Sequence, residues 1–137
     1  MIQQLTVFIE NSKGRLTALC RALGDAGVNM HALVVADTTD YGIVRIICDK
    51  PEKAADVLTE EGFRATIAEV AGVEVPHEPG GLARVFQVLD DADVNIEYSY
   101  CFADTRNGAT VAFKAVPRAV QALVDAGFTT VDQSDLQ

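Results

Sequence analysis

The chain has 137 residues and a mass of 14.7 kDa, enough for one ordinary domain or two very small ones. Hydrophobic residues make up 49% and charged residues 23%, a globular balance rather than a disordered one. A net charge of −9 argues against nucleic acid and anionic membranes as partners, because phosphate binding needs a basic face.

The chain opens on Met1-Ile2-Gln3-Gln4, without the basic region and apolar core of a signal peptide. No apolar run approaches the ~18 residues of a membrane span, so a cytoplasmic location is expected. Leu5-Thr6-Val7-Phe8-Ile9 has the β-branched and aromatic content of a strand, and a turn follows at Asn11-Ser12-Lys13-Gly14. Leu16, Leu19, Cys20, Leu23 and Ala26 recur at steps of three and four, a helical stripe that Gly27 stops. Residues 28–37 and 42–48 read as strands around a turn at 38–41. Pro51 opens a second helix, where proline is tolerated, with Ala54, Ala55, Val57 and Leu58 on its apolar face and Gly62 at its end. Residues 64–70 predict a fourth strand.

The remainder repeats this order. Shifted by 66 residues, Gly14 falls on Gly80, Leu16 on Leu82, Leu23 on Leu89 and Asp25-Ala26 on Asp91-Ala92. Val28-Asn29 meets Val94-Asn95, Thr39 meets Thr105, Gly42 meets Gly108 and Pro51 meets Pro117; after one deletion Gly62-Phe63 meets Gly127-Phe128. The second copy predicts a strand at 70–76, the turn His77-Glu78-Pro79-Gly80-Gly81, a helix at 82–92, strands at 94–103 and 109–115, a helix at 117–126 and a short strand at 128–131. A polar tail, 132–137, is expected to fray. The predicted fold is therefore α+β, two ferredoxin-like βαββαβ modules over 1–69 and 70–137, packed as a pseudo-symmetric pair. Val34-Val35 and Ile43-Val44-Arg45-Ile46-Ile47 place apolar side chains on both sheet faces, which predicts a covered outer face and a homodimer.

Few residues carry catalytic chemistry. Cys20, Cys48 and Cys101 lie far apart and read as reduced, buried thiols, and with only His31 and His77 beside them no metal site is expected. Tyr98, Tyr100 and Phe102 alternate as in an RNA-binding sheet, but Asp90, Asp91, Asp93, Glu97 and Asp104 surround them and would repel phosphate. Packing is the simpler role for those rings. An acyl-phosphatase-type hydrolase would need an arginine at the anion loop, a place that Arg15 approaches. The two strand-to-helix loops stand out instead. Gly14 and Gly80 let backbone amides approach a ligand, and the helix N-terminus that follows favours an anion. Asn29 and Asn95 recur where the chain enters the next strand, each with donors and an acceptor; turn stabilisation is the competing role.

At these residues the chain resembles a tandem pair of ACT domains, small-molecule-sensing modules of amino-acid metabolism. Lys13-Gly14-Arg15-Leu16 and Pro79-Gly80-Gly81-Leu82 carry the resemblance, together with Gly27-Val28-Asn29-Met30 and Asp93-Val94-Asn95-Ile96. The family pattern is Asp-x-Pro-Gly-x-Leu, then Gly-Val/Ile-Asn-Ile; Asn11 and His77 stand here for its aspartate, and Lys13 stands for its proline in the first copy. The resemblance implies an amino acid held at a domain interface and reported to a partner enzyme. Its binding residues would be Asn11, Ser12, Lys13, Gly14, Arg15 and Leu16 with Asn29, Met30 and His31. In the second copy they would be His77, Glu78, Gly80, Gly81 and Leu82 with Asn95 and Ile96. It implies no cofactor and a sensor rather than an enzyme. Acetohydroxyacid synthase, whose small subunits carry such modules, is one candidate partner. Residues 1–68 sum to 7 − 9 = −2 and residues 69–137 to 4 − 11 = −7, so the loop with Lys13 and Arg15 is expected to serve a carboxylate better than the loop with Glu78. The alternative for Glu78 is to cap its own helix.

Overall fold

The computed structural model describes residues 1–36, 41–104, 108–114 and 116–136. Period-two alternation shapes its first strand, β1 (Ile2–Glu10): Leu5, Val7 and Ile9 are buried beneath helices, while Thr6, Phe8 and Glu10 point to the other face. In chain order there follow α1 (Arg15–Asp25), β2 (Met30–Ala36), β3 (Tyr41–Cys48), α2 (Pro51–Glu60) and β4 (Arg64–Val75). The second half adds α3 (Gly81–Asp91), β5 (Ser99–Asp104), β6 (Gly108–Lys114), α4 (Pro117–Asp125) and β7 (Thr130–Val131), closing on a 3₁₀ turn at Gln133–Leu136. Among the described residues no helix is long and apolar enough to cross a membrane.

The chain divides into two compact units, one of Gln3–Ala68 joined by Leu136, the other of Glu69–Asp135 joined by Met1–Ile2. Each is a ferredoxin-like βαββαβ unit. The first orders its strands β2-β3-β1-β4 and the second β5-β6-β4-β7. In the first, Val44 and Ile46 of β3 join the β1 residues beneath Leu19 and Leu23 of α1 and Ala54 and Leu58 of α2. In the second, Val73, Val111 and Phe113 lie beneath Val85, Leu89, Ala119 and Leu123. Leu19 and Val85 are 66 apart whereas Ala54 and Ala119 are 65 apart. The deletion between the copies therefore falls just inside the second helix, and α4 is 9 residues long where α2 is 10.

All four helices stop in the same way. A residue with positive φ (Gly27, Gly62, Asp93 or Gly127) reverses the chain. The next residue then donates its N–H back to the last turn, as in Val28 to Leu23 (3.0 Å) and Val94 to Leu89 (2.9 Å), and buries its side chain at Val28, Phe63 and Val94, whereas Phe128 is half-buried. Val28 and Val94 thus belong to the helix stops, and the following strands start later than expected, β2 at Met30 rather than 28 and β5 at Ser99 rather than 94.

Three other expectations need correction. The strands predicted at 64–70 and 70–76 are one 12-residue strand, β4, with the division between units at Glu69 inside it. The tail is not frayed: the Met1 ammonium pairs with the Asp132 carboxylate, and the Gln133 N–H donates to the Met1 carbonyl. Of the three thiols only Cys48 is buried, and burial pushes its pKa up; Cys20 is half-buried and Cys101 exposed. The predicted turn at 38–41 lies outside the described residues except for Tyr41, as does the match of Thr39 with Thr105.

Candidate functional site

At the end of β1 the chain turns sharply. The Ser12 N–H donates to the Glu10 carbonyl at 2.9 Å, and Gly14 takes φ 90°, which costs an L side chain strain that glycine avoids. Gly14 then stands as N-cap of α1. No side chain caps that helix and no acidic residue lies in its first turn. The Arg15 N–H donates back to the Ser12 carbonyl at 3.4 Å, and the partial positive charge of that end, with the later amides of the first turn, is left to an external acceptor. The second unit repeats the arrangement: Gly80 at φ 84° begins α3, again with no capping side chain and no early acid.

Beside the first loop lies a cleft of about 140 Å³, lined by Ile9, Glu10, Asn11, Ser12, Leu16, Val35, Ala36 and Gly42. Its shape follows from register. Gly42 pairs with Ile9 across β1 and β3, and Val35 pairs with Val44 across β2 and β3, so all four stand on the helix side of the sheet. Because β2 ends the strand order, Val35 is 46% exposed, and Leu16 at the start of α1 is 37% exposed. Glu10, Asn11 and Ser12 bring polar groups to an otherwise apolar hollow.

Of the predicted binding residues in the first copy, the structure brings Asn11, Ser12 and Leu16 together around the cleft, next to Gly14. Lys13 is exposed on the loop. Arg15 turns elsewhere: its guanidinium lies over the Phe63 ring, 4.4 Å from the centroid, with Nε buried and without a hydrogen-bond partner. This is the arginine on which the hydrolase reading relied. Asn29 sits at the other end of the sheet, where Met30 pairs with Cys48, far from the Ala36–Ile43 end that borders the cleft. The Asn29 N–H donates to Asp49 Oδ1 at 2.9 Å, and its carbonyl accepts from the Asp49 N–H. Met30 packs against the core, and His31 Nε2 is 2.6 Å from the Leu136 carbonyl. Within one unit, then, the loop and the Asn29 segment are not brought together.

The second copy differs in ways that spacing did not reveal. Glu78 pairs with Arg84 at 2.5 Å instead of capping α3. Both side chains are more than half exposed, 56% and 52%, so the pair contributes little stability. Gly81 occupies the place of Arg15, and a Cβ there would lie 2.2 Å from the Pro76 carbonyl oxygen. With no arginine at that position, Phe128 is half-buried where Phe63 is 6% exposed. Phe128 and His77 line a separate cleft of about 250 Å³ with Glu74, Val75, Pro76, Gly127 and Thr129. Leu82 is partly exposed, Asn95 is exposed, and Ile96 packs on the second core.

Sequence reasoning missed Ile9, Glu10, Val35, Ala36 and Gly42. The first four read as ordinary strand residues, and only strand pairing places them under the loop. Gly42 carried one usable signal, its recurrence as Gly108 in an otherwise β-branched run.

The family pattern of the ACT domain pair matches residues 1–137. Among solved structures, protein BT0572 from Bacteroides thetaiotaomicron is 35% identical over 98% of this chain and 94% of its own, with a TM-score of 0.92. The ligand-free regulatory subunit of aspartate kinase from Thermus thermophilus is 19% identical over 92% and 93% of the two chains, with a TM-score of 0.65. The regulatory subunit of aspartate kinase from Thermus flavus is also 19% identical, covering 90% and 91%, with a TM-score of 0.59. These two share the fold. No curated protein matches the sequence.

Proposed function

This chain belongs to the family of ACT domain pairs, and on that premise we propose that it binds a free amino acid and reports it to a partner protein. The observation that carries the reading is the cleft at the uncapped start of α1. An α-carboxylate there accepts from the first-turn amides behind Gly14 and meets the positive end of the helix. At about 140 Å³ the cleft is well under the ~300 Å³ of pockets for drug-sized ligands, a size that favours a metabolite as small as an amino acid. Because Asn29 lies at the other end of its own sheet, we assign the amine to the asparagine of a second copy of the chain. A homodimer along edge strand β2, where Leu33 and Val35 are exposed, would supply it.

The loops are read as unequal. The first has the apolar cleft beside its glycine, whereas the second carries an acid, Glu78, paired with Arg84. A thermal-shift screen of the full chain against the twenty amino acids tests the proposal. At 100 times its dissociation constant a true ligand stabilises the fold by about 2.7 kcal/mol, roughly a 5–10 °C rise for a chain of this size. Gly14→Val should remove the rise while Gly80→Val leaves most of it. Twenty flat responses would sink the sensor reading.

A further inference from the structure

We infer that the cleft beside the first loop selects amino acids with aliphatic side chains, and that Gly42 sets the size limit; the inference rests on the amino-acid reading above. The glycines of this chain fall into different physical groups. Gly14 and Gly80 adopt positive φ, and a Cβ on Gly72 or Gly81 would come within 2.4 or 2.2 Å of a neighbouring atom. Gly42 meets neither demand. Its φ lies outside the left-handed range, and an added Cβ would stand 3.6 Å from the Ala36 carbonyl oxygen, 3.7 Å from Ile9 Cγ1 and 3.8 Å from Val35 Cγ1, all ordinary contact distances. A strand residue other than glycine fits there and would hold the strand better.

What glycine leaves is open volume in the cleft between Ile9 and Val35. Those walls present hydrocarbon. The polar members, Glu10, Asn11 and Ser12, belong to the loop end, where the carboxylate is held. Among the described residues, nothing past Glu10, Asn11 and Ser12 would partner a charged ligand side chain, which would lose its water there. An aliphatic one gains about fourfold in affinity per methylene, the equivalent of ~0.8 kcal/mol of burial for each CH₂.

Calorimetric titration of the full chain with alanine, valine, leucine, isoleucine, serine, aspartate and lysine tests this, in the wild type and in Gly42→Ala. Affinity should climb with aliphatic size up to a limit and fall for serine, aspartate and lysine. In Gly42→Ala the largest accepted side chain should weaken by about tenfold or more, the usual effect of one methylene in a fitted pocket. Alanine should change by less than about twofold. Gly42→Ala should melt no lower than the wild type, which separates lost space from lost folding. Tightest binding of a polar or charged amino acid, or equal effects of Gly42→Ala across the series, overturns the inference alone. Binding of none of the seven overturns the inference, and the sensor reading falls with it only if the other thirteen amino acids also fail to bind.

Discussion

Asp93 holds a conformation that the first copy gives to glycine. It takes φ 57° at the end of α3, where Gly27 takes φ 75° at the end of α1. An L side chain in this region costs on the order of 1 kcal/mol, and the Arg118 guanidinium donates to the Asp93 carbonyl at 2.7 Å. That bond involves the main chain and survives substitution. Asp93→Gly should therefore raise stability by about 1 kcal/mol in urea unfolding. An unchanged midpoint would show that the aspartate side chain relieves the strain by itself. At this same scale the two copies part company over Arg15 and Gly81, where one covers its aromatic neighbour and the other leaves it half open.

Among the elements, α1 and α3 began from one pattern and diverged at their first residues. Gly81 sits against the Pro76 carbonyl, so Gly81→Ala drives a methyl into backbone and should cost about 1–3 kcal/mol. Gly24, in the last turns of α1, has nothing within 4 Å of an added Cβ. Gly24→Ala should instead gain roughly 0.5–1 kcal/mol. Thermal melts of both variants make the check, and the opposite order would show that α3 begins differently from this structure. Helix ends were legible because glycine after an apolar stripe has one strong local meaning. The merging of two predicted strands into β4 was not. Residues 64–75 contain no turn residue that would force a break except Gly72, where a Cβ would lie 2.4 Å from Ile2 Cδ1 and 3.3 Å from the Val131 carbonyl oxygen.

For the whole molecule the chain ends matter more than their composition implies. Leu136 is only 2% exposed, its carbonyl meets His31, and Gln133 donates to the Met1 carbonyl. A chain ending at Asp132 loses the burial of one leucine, about 1.5–3 kcal/mol, and two hydrogen bonds worth about 1 kcal/mol each. Urea unfolding should therefore show a loss of several kcal/mol, and an unaltered midpoint would mean that the tail is dispensable. A polar hexapeptide looks solvated in one dimension because its partners, Met1 and His31, lie more than a hundred positions away.

Local order was readable along the chain. The repeat, the apolar stripes, the helix stops and the two glycine loops each depend on neighbours within a few residues, and those interactions leave periodic or punctuated traces. Tertiary structure decided which residues share a cleft. Gly42 and Val35 reach Leu16 only through the antiparallel pairing of β1, β2 and β3, while Arg15, beside Leu16 in sequence, is drawn away to Phe63. It also left Asn29 at the far end of the sheet from the loop that the sequence had joined with it. Strand pairing is long-range, set by total burial rather than by local preference, so an amino-acid pattern can announce a module and still leave open which side chains a ligand would touch.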